Sequence, residues 1–180
     1  MPLFTATAVT LALGGAGYAA SVLLGSGTTL GEASRTPLVA ASNLVTAFAA
    51  FGLALQIPGA WGVSRGARIP AAIVALGVAF LGAFAFALAT VVPHFGTVVA
   101  DDAVFSMETP WQDLLGWPKQ VLLLVGLGWL AIAARRSGSI GSVGAAAVLL
   151  AALVNAMLWP YAPGAIALGL TFAIVRPKRR

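Results

Sequence analysis

Apolar residues run along this chain in long blocks rather than in alternating or amphipathic stripes. Six can be drawn, over residues 3–25, 37–59, 70–93, 118–134, 141–159 and 163–175. A helix needs about 20 mainly apolar residues to cross the hydrocarbon of a bilayer. The first three blocks meet that length, the fourth and fifth are adequate, and the sixth is short. The pattern predicts an all-α protein: a polytopic transmembrane bundle forming a single integral membrane domain over 1–180. The motif "WPYAPG" at 159–164 separates the last two blocks, because each proline removes a backbone donor and crowds the preceding turn. A hairpin fits that motif better than one long kinked helix, since Trp159 and Tyr161 are interface-loving rings flanking the break.

Charge turns the pattern into a topology. With the N-terminus in the cytoplasm and sides alternating, Arg65, Arg68, Arg135, Arg136, Arg176, Lys178, Arg179 and Arg180 fall inside, while Arg35 and Lys119 fall outside. All five acids (Glu32, Asp101, Asp102, Glu108 and Asp113) fall outside as well. This is the asymmetry of the positive-inside rule, and it puts both termini in the cytoplasm. Five spans follow if the first block is a cleaved signal, although "MPLFT" lacks the usual basic start. The expected location is the plasma (inner) membrane, multi-pass.

Composition adds exclusions. The chain is 60% hydrophobic and 8% charged, where soluble domains run near a quarter charged. The formal net charge of +5 is carried at block ends, so it orients spans and does not point to nucleic acid. The absence of cysteine removes disulfides, thiolate metal sites and a cysteine nucleophile. In composition the chain resembles small Ala- and Gly-rich membrane proteins of GC-rich bacteria, and no motif in it carries a family's activity across.

Candidate chemistry collects in the segment "HFGTVVADDAVFSMETPWQDLLGWPK" at 94–119, which holds the single histidine and four of the five acids. His94, Asp101, Asp102 and Glu108 are ligand types for a divalent cation, but their spacing matches no metal motif, and a solvated outer loop accounts for the same residues. Within it, Thr109, Pro110 and Gln112 have the spacing of a helix start. A short interfacial helix over about 110–117 is expected, with Trp111, Leu114, Leu115 and Trp117 on its apolar side and Pro118 ending it and starting the fourth span.

The span interiors read as free of Asp, Glu, Lys, Arg and His, which argues against ion-coupled pumping. Uncharged polar residues remain. Tyr18, Asn43 and Asn155 fall at similar depth in the outer half and, with His94, are the candidate lining of an outward-facing polar pocket. Interhelical hydrogen bonding explains the same residues, at about 0.6 kcal/mol per contact. Small residues recur every fourth position at Ala75, Ala79, Ala83 and Ala87, and again at Ala165, Gly169 and Ala173. Such rows let backbones approach closely, either within one bundle or between copies or partners. "VGLGWL", around Gly126 and Gly128, lacks the strand–turn–helix context of a phosphate loop. No catalytic residue and no cofactor is assigned. The expected role is a non-enzymatic accessory or assembly subunit, with the bilayer and another membrane protein or a second copy as partners. The alternative is a small transporter or facilitator built on the polar pocket.

Overall fold

The computed structural model describes residues 2–24, 36–90, 112–157 and 162–178. Six helices account for nearly all of these: α1 (Pro2–Leu24), α2 (Pro37–Trp61), α3 (Arg68–Thr90), α4 (Trp117–Arg136), α5 (Ser142–Met157) and α6 (Ala162–Ile174). There is no strand among the described residues. A 3-10 turn (Arg65–Ala67) leads into α3, and a π-helical turn (Gln112–Gly116) leads into α4. Four stretches are long and apolar enough to cross a membrane: Pro2–Ser21, Pro37–Trp61, Arg65–Thr90 and Leu114–Arg136. The apolar helices Ser142–Ala156 and Ala162–Ile174 are shorter.

Local chemistry explains where the helices begin and end. The Thr36 hydroxyl accepts from the Val39 N–H at 3.4 Å, and Pro37 follows in the first turn of α2, where its missing donor costs nothing. At the other end of the bundle, α4 closes on Gly138, whose φ of 69° is the left-handed conformation glycine adopts without penalty. The Ser139 N–H reaches the Ala134 carbonyl at 2.9 Å and the Gly138 N–H reaches the Arg135 carbonyl at 3.1 Å, the paired bonds of a Schellman stop.

The short helix expected over about 110–117 is met in part, as the π-helical turn Gln112–Gly116. Trp111 and the residues before it lie outside the described residues. From Gln112 onward the backbone is helical and runs without a break into α4. Pro118 starts the fourth span as expected, in the first turn of α4 where a proline is tolerated, but the helical backbone before it is not interrupted there. Leu114 and Trp117 are exposed, and Leu115 packs on the core.

Each helix packs mainly on its neighbours in sequence, and α6 returns to pack on α1. The register is antiparallel at every step that side chains mark. Gly17 faces Ser42 while Gly52 faces Thr7, and Gly77 faces Leu123 while Gly126 faces Val74. Gly144, at the start of α5, faces Val175 beyond the end of α6, so these two helices form a hairpin. Two close approaches bring α1 against its two neighbours, α6 and α2. A Cβ on Gly169 would lie 2.5 Å from the Ala8 carbonyl oxygen, and one on Gly14 would lie 2.5 Å from Thr46 Oγ1. The small-residue row through Ala165 and Gly169 is therefore spent inside the bundle, against α1.

Much of the outside is apolar. Leu13, Phe48, Leu55, Leu76, Phe86, Leu124, Leu150 and Leu170 are large and exposed. Arg65, Arg68, Arg135, Arg136, Arg176 and Lys178 are exposed as well. They gather at one end, which also holds the start of α1 and the C-terminal tail. There Phe4 and Trp61 both pack edge-on against Phe172, at 5.9 and 5.4 Å between ring centroids, and the Lys178 N–H reaches the Ser139 carbonyl at 2.8 Å.

Candidate functional site: a buried polar layer with a lysine

At the end away from those arginines, the bundle buries Ser21, Ser42, Asn43, Thr46, Lys119 and Asn155, together with Tyr18. Several of these groups satisfy themselves on their own helix. The Ser21 hydroxyl donates to the Tyr18 carbonyl at 2.8 Å, and the Thr46 hydroxyl donates to the Ser42 carbonyl at 2.8 Å. Asn155 does more. Its Nδ2 donates to the Ala151 carbonyl at 2.9 Å and across the hairpin to the Gly164 carbonyl at 3.2 Å. A Cβ on Gly164 would lie 2.5 Å from Asn155 Oδ1, so this approach needs a residue without one.

Lys119 is the residue that sequence reasoning misplaced. It was expected in the outer aqueous segment, and the span interiors were expected to hold no ionisable group. Instead its side chain is 1% exposed, inside the candidate span Leu114–Arg136, with Nζ 5.6 Å from the centroid of the Phe84 ring on α3. The physical reason is the face it occupies. Lys119, Leu123, Gly126, Leu127, Leu130 and Ala134 recur at spacings of three and four, which is the buried stripe of α4. That periodicity was readable in the sequence. What hid it was the proline before the lysine, taken as a boundary between loop and span.

An ammonium held this way is unusual. A lysine near a span end ordinarily snorkels, burying its stem while the charge reaches water. The Phe84 ring face offers an electrostatic attraction to a cation at this distance.

The register sets the depth of the other candidates. Gly17 faces Ser42, which places Tyr18 beside the level of Asn43. Ala47 faces Gly82, and Leu123 faces Gly77, so Asn43 and Lys119 both come level with the stretch of α3 around Phe84. Gly15 faces Ala165 and Asn155 faces Gly164, which brings the α5–α6 hairpin to the same layer. Tyr18, Asn43, Lys119 and Asn155 thus lie within about two helical turns of one another in depth, roughly 10 Å. Tyr18 is 5% exposed, Asn43 1% and Asn155 2%, so none of the three faces outward.

His94, the fourth residue of the expected pocket, lies outside the described residues. So do the metal candidates Asp101, Asp102 and Glu108. Gln56 sits toward the opposite end, where its Nε2 donates to Thr7 Oγ1 at 3.1 Å and to the Gly52 carbonyl at 2.9 Å, an interhelical tie between α1 and α2.

The chain matches no protein-family model, no curated protein and no solved structure.

Proposed function

We propose that this chain is a six-span protein of the plasma membrane, with its arginine-rich end in the cytoplasm, and that its polar layer binds a small anionic solute and passes it across as a facilitator. Buried Lys119 is the observation that carries this reading. An ionisable group turned into a bundle at membrane depth is a functional site by default. Hydroxyl and amide groups lie at the same depth on Tyr18, Ser42, Asn43 and Asn155, and a small polar solute would take over hydrogen bonds that Tyr18, Asn43 and Asn155 make within the bundle. The reading of the chain as an accessory subunit draws on span interiors without charge and on the lack of catalytic motifs; buried Lys119 weighs against the first ground and leaves the second standing.

The test is flux. Proteoliposomes of the purified chain are loaded with a panel of small anions (chloride, inorganic phosphate, acetate), and efflux is followed for the native chain and for Lys119→Met. Efflux of at least one anion that disappears in Lys119→Met, with elution and helicity unchanged, supports the proposal. Equal efflux in both proteins sinks it. So does an Asn43→Cys variant that resists small water-soluble thiol reagents from either side. A sealed layer of that kind would return the accessory-subunit reading to first place.

A further inference from the structure

Two adjoining clefts open at the arginine-rich end, away from the polar layer. The larger, about 390 Å³, lies between the start of α1, the end of α2 and the C-terminal tail, and its walls include Leu3, Phe4, Leu55, Gln56 and Arg176. The smaller, about 160 Å³, is walled by Trp61, Ser64, Ser137, Ser139 and Lys178. Ala60 and Pro177 belong to both, so the clefts meet along the tail.

Their chemistry is one-sided. Neither wall contains an acid, and each contains one cation, Arg176 or Lys178. Three serine hydroxyls stand in the smaller cleft. Two of them, on Ser137 and Ser139, are 2.8 Å apart. Trp61 Nε1 and Ser64 Oγ are buried without a hydrogen-bond partner among the described residues. Both residues belong to the wall of the smaller cleft, so unmet hydrogen-bonding capacity lies beside it. The larger cleft adds an apolar flank, since Leu3 is 69% exposed and Leu55 85% exposed beside Arg176.

We infer that this end of the bundle holds an anionic phospholipid, its phosphate between Arg176 and Lys178 and its acyl chain along Leu3 and Leu55. A free phosphate ion would use the cations and hydroxyls but would leave the two leucines bare. An anionic lipid uses both, and basic pockets between spans on the cytoplasmic side are where such headgroups are recognised. The inference rests on the membrane reading above but not on the solute proposed for the polar layer.

Native mass spectrometry of the full chain in mild detergent tests it, with phosphatidylglycerol and phosphatidylcholine titrated in competition. The native protein is expected to keep one phosphatidylglycerol in preference to phosphatidylcholine. Arg176→Gln should weaken that preference about fivefold, in line with the contribution of one basic side chain near a charged headgroup. Leu55→Asn should weaken retention of either lipid. Arg135→Gln, an exposed arginine at the same end but outside both clefts, should change nothing. Equal losses in Arg176→Gln and Arg135→Gln would mean diffuse attraction and overturn the site. Displacement of the lipid by millimolar inorganic phosphate, with no effect of Leu55→Asn, would mean an ion site and overturn it too. A chain that inserts into vesicles without headgroup preference overturns this inference alone, whereas one that fails to insert overturns the membrane reading with it.

Discussion

Single atoms decide how closely these helices pack, and glycine is where the decision is sharpest. A Cβ on Gly169 would come within 2.6 Å of the Ala12 backbone nitrogen, on an element that cannot move aside like a flexible side chain. Gly128, on α4, has nothing within 4 Å of the same added atom. Gly169→Ala is therefore expected to destabilise the bundle by about 1–3 kcal/mol, the usual cost of overpacking. Gly128→Ala should be neutral or slightly stabilising, since alanine is the better helix former. Thermal unfolding of both variants in one detergent checks the pair, and equal shifts would show that the α1–α6 approach is not limiting. Asn155 is the polar counterpart. Its bond across the hairpin to Gly164 ties α5 to α6, so in the proposed membrane setting Asn155→Ala should cost about 0.6 kcal/mol and no more than about 1.7, measured the same way. A much larger loss would mean that Asn155 holds more than the hairpin. Lys119 shows what residue-level reading missed. Its position on the Leu123, Leu127 and Leu130 face was present in the spacing, but a charge beside a proline at a block edge reads as loop until the helix is seen to begin before it.

Helix length is legible in apolar runs, because it is fixed by the same solvent the runs are matched to. Blocks drawn at 37–59 and 70–93 correspond to helices Pro37–Trp61 and Arg68–Thr90, and the block at 163–175 to Ala162–Ile174. The start of α4 was less legible, since Pro118 permits two readings: a stop for one helix or the first turn of another. Only the backbone before it distinguishes them, and the π-helical turn Gln112–Gly116 makes it the second. The last two helices carry a consequence of their own. At 1.5 Å per residue, α5 with 16 residues spans about 24 Å and α6 with 13 spans about 20 Å, both short of a hydrocarbon core near 30 Å. In the proposed six-span topology, the hairpin they form is the point of mismatch with the bilayer. Unfolding temperatures of the chain reconstituted in phosphatidylcholines of increasing chain length should peak in a bilayer thinner than average and fall in thick ones, with hydrogen exchange rising first in α5 and α6. A profile flat across thickness would show that the hairpin does not contact the lipid core along its length.

The whole molecule follows from an even number of antiparallel helices. With six helices, the last runs antiparallel to the first, and α6 can close on α1 through Gly15, Ala165 and Gly169. With five, the end helices would be parallel and the two chain ends would lie apart. Closure also sorts charge: the turn at Arg65–Ala67, the α4–α5 turn after Arg136 and the tail with Arg176 and Lys178 share one end with the start of α1. The sequence foretold that grouping through its basic residues, although charge alone could not say which helices touch or which face of α4 turns inward. Native cysteine is absent, so topology can be read one position at a time. Gly66 and Gly141 lie at the arginine-rich end with open space around them, and Thr36 lies at the other. In intact cells, Thr36→Cys should react with a membrane-impermeant maleimide, while Gly66→Cys and Gly141→Cys should react only after the membrane is opened. The reverse pattern would invert the molecule and place Lys119 nearer the cytoplasmic face. Reaction of all three in intact cells would mean that the bundle does not span a membrane, and the exposed leucines and phenylalanines around it would then need a protein partner to cover them.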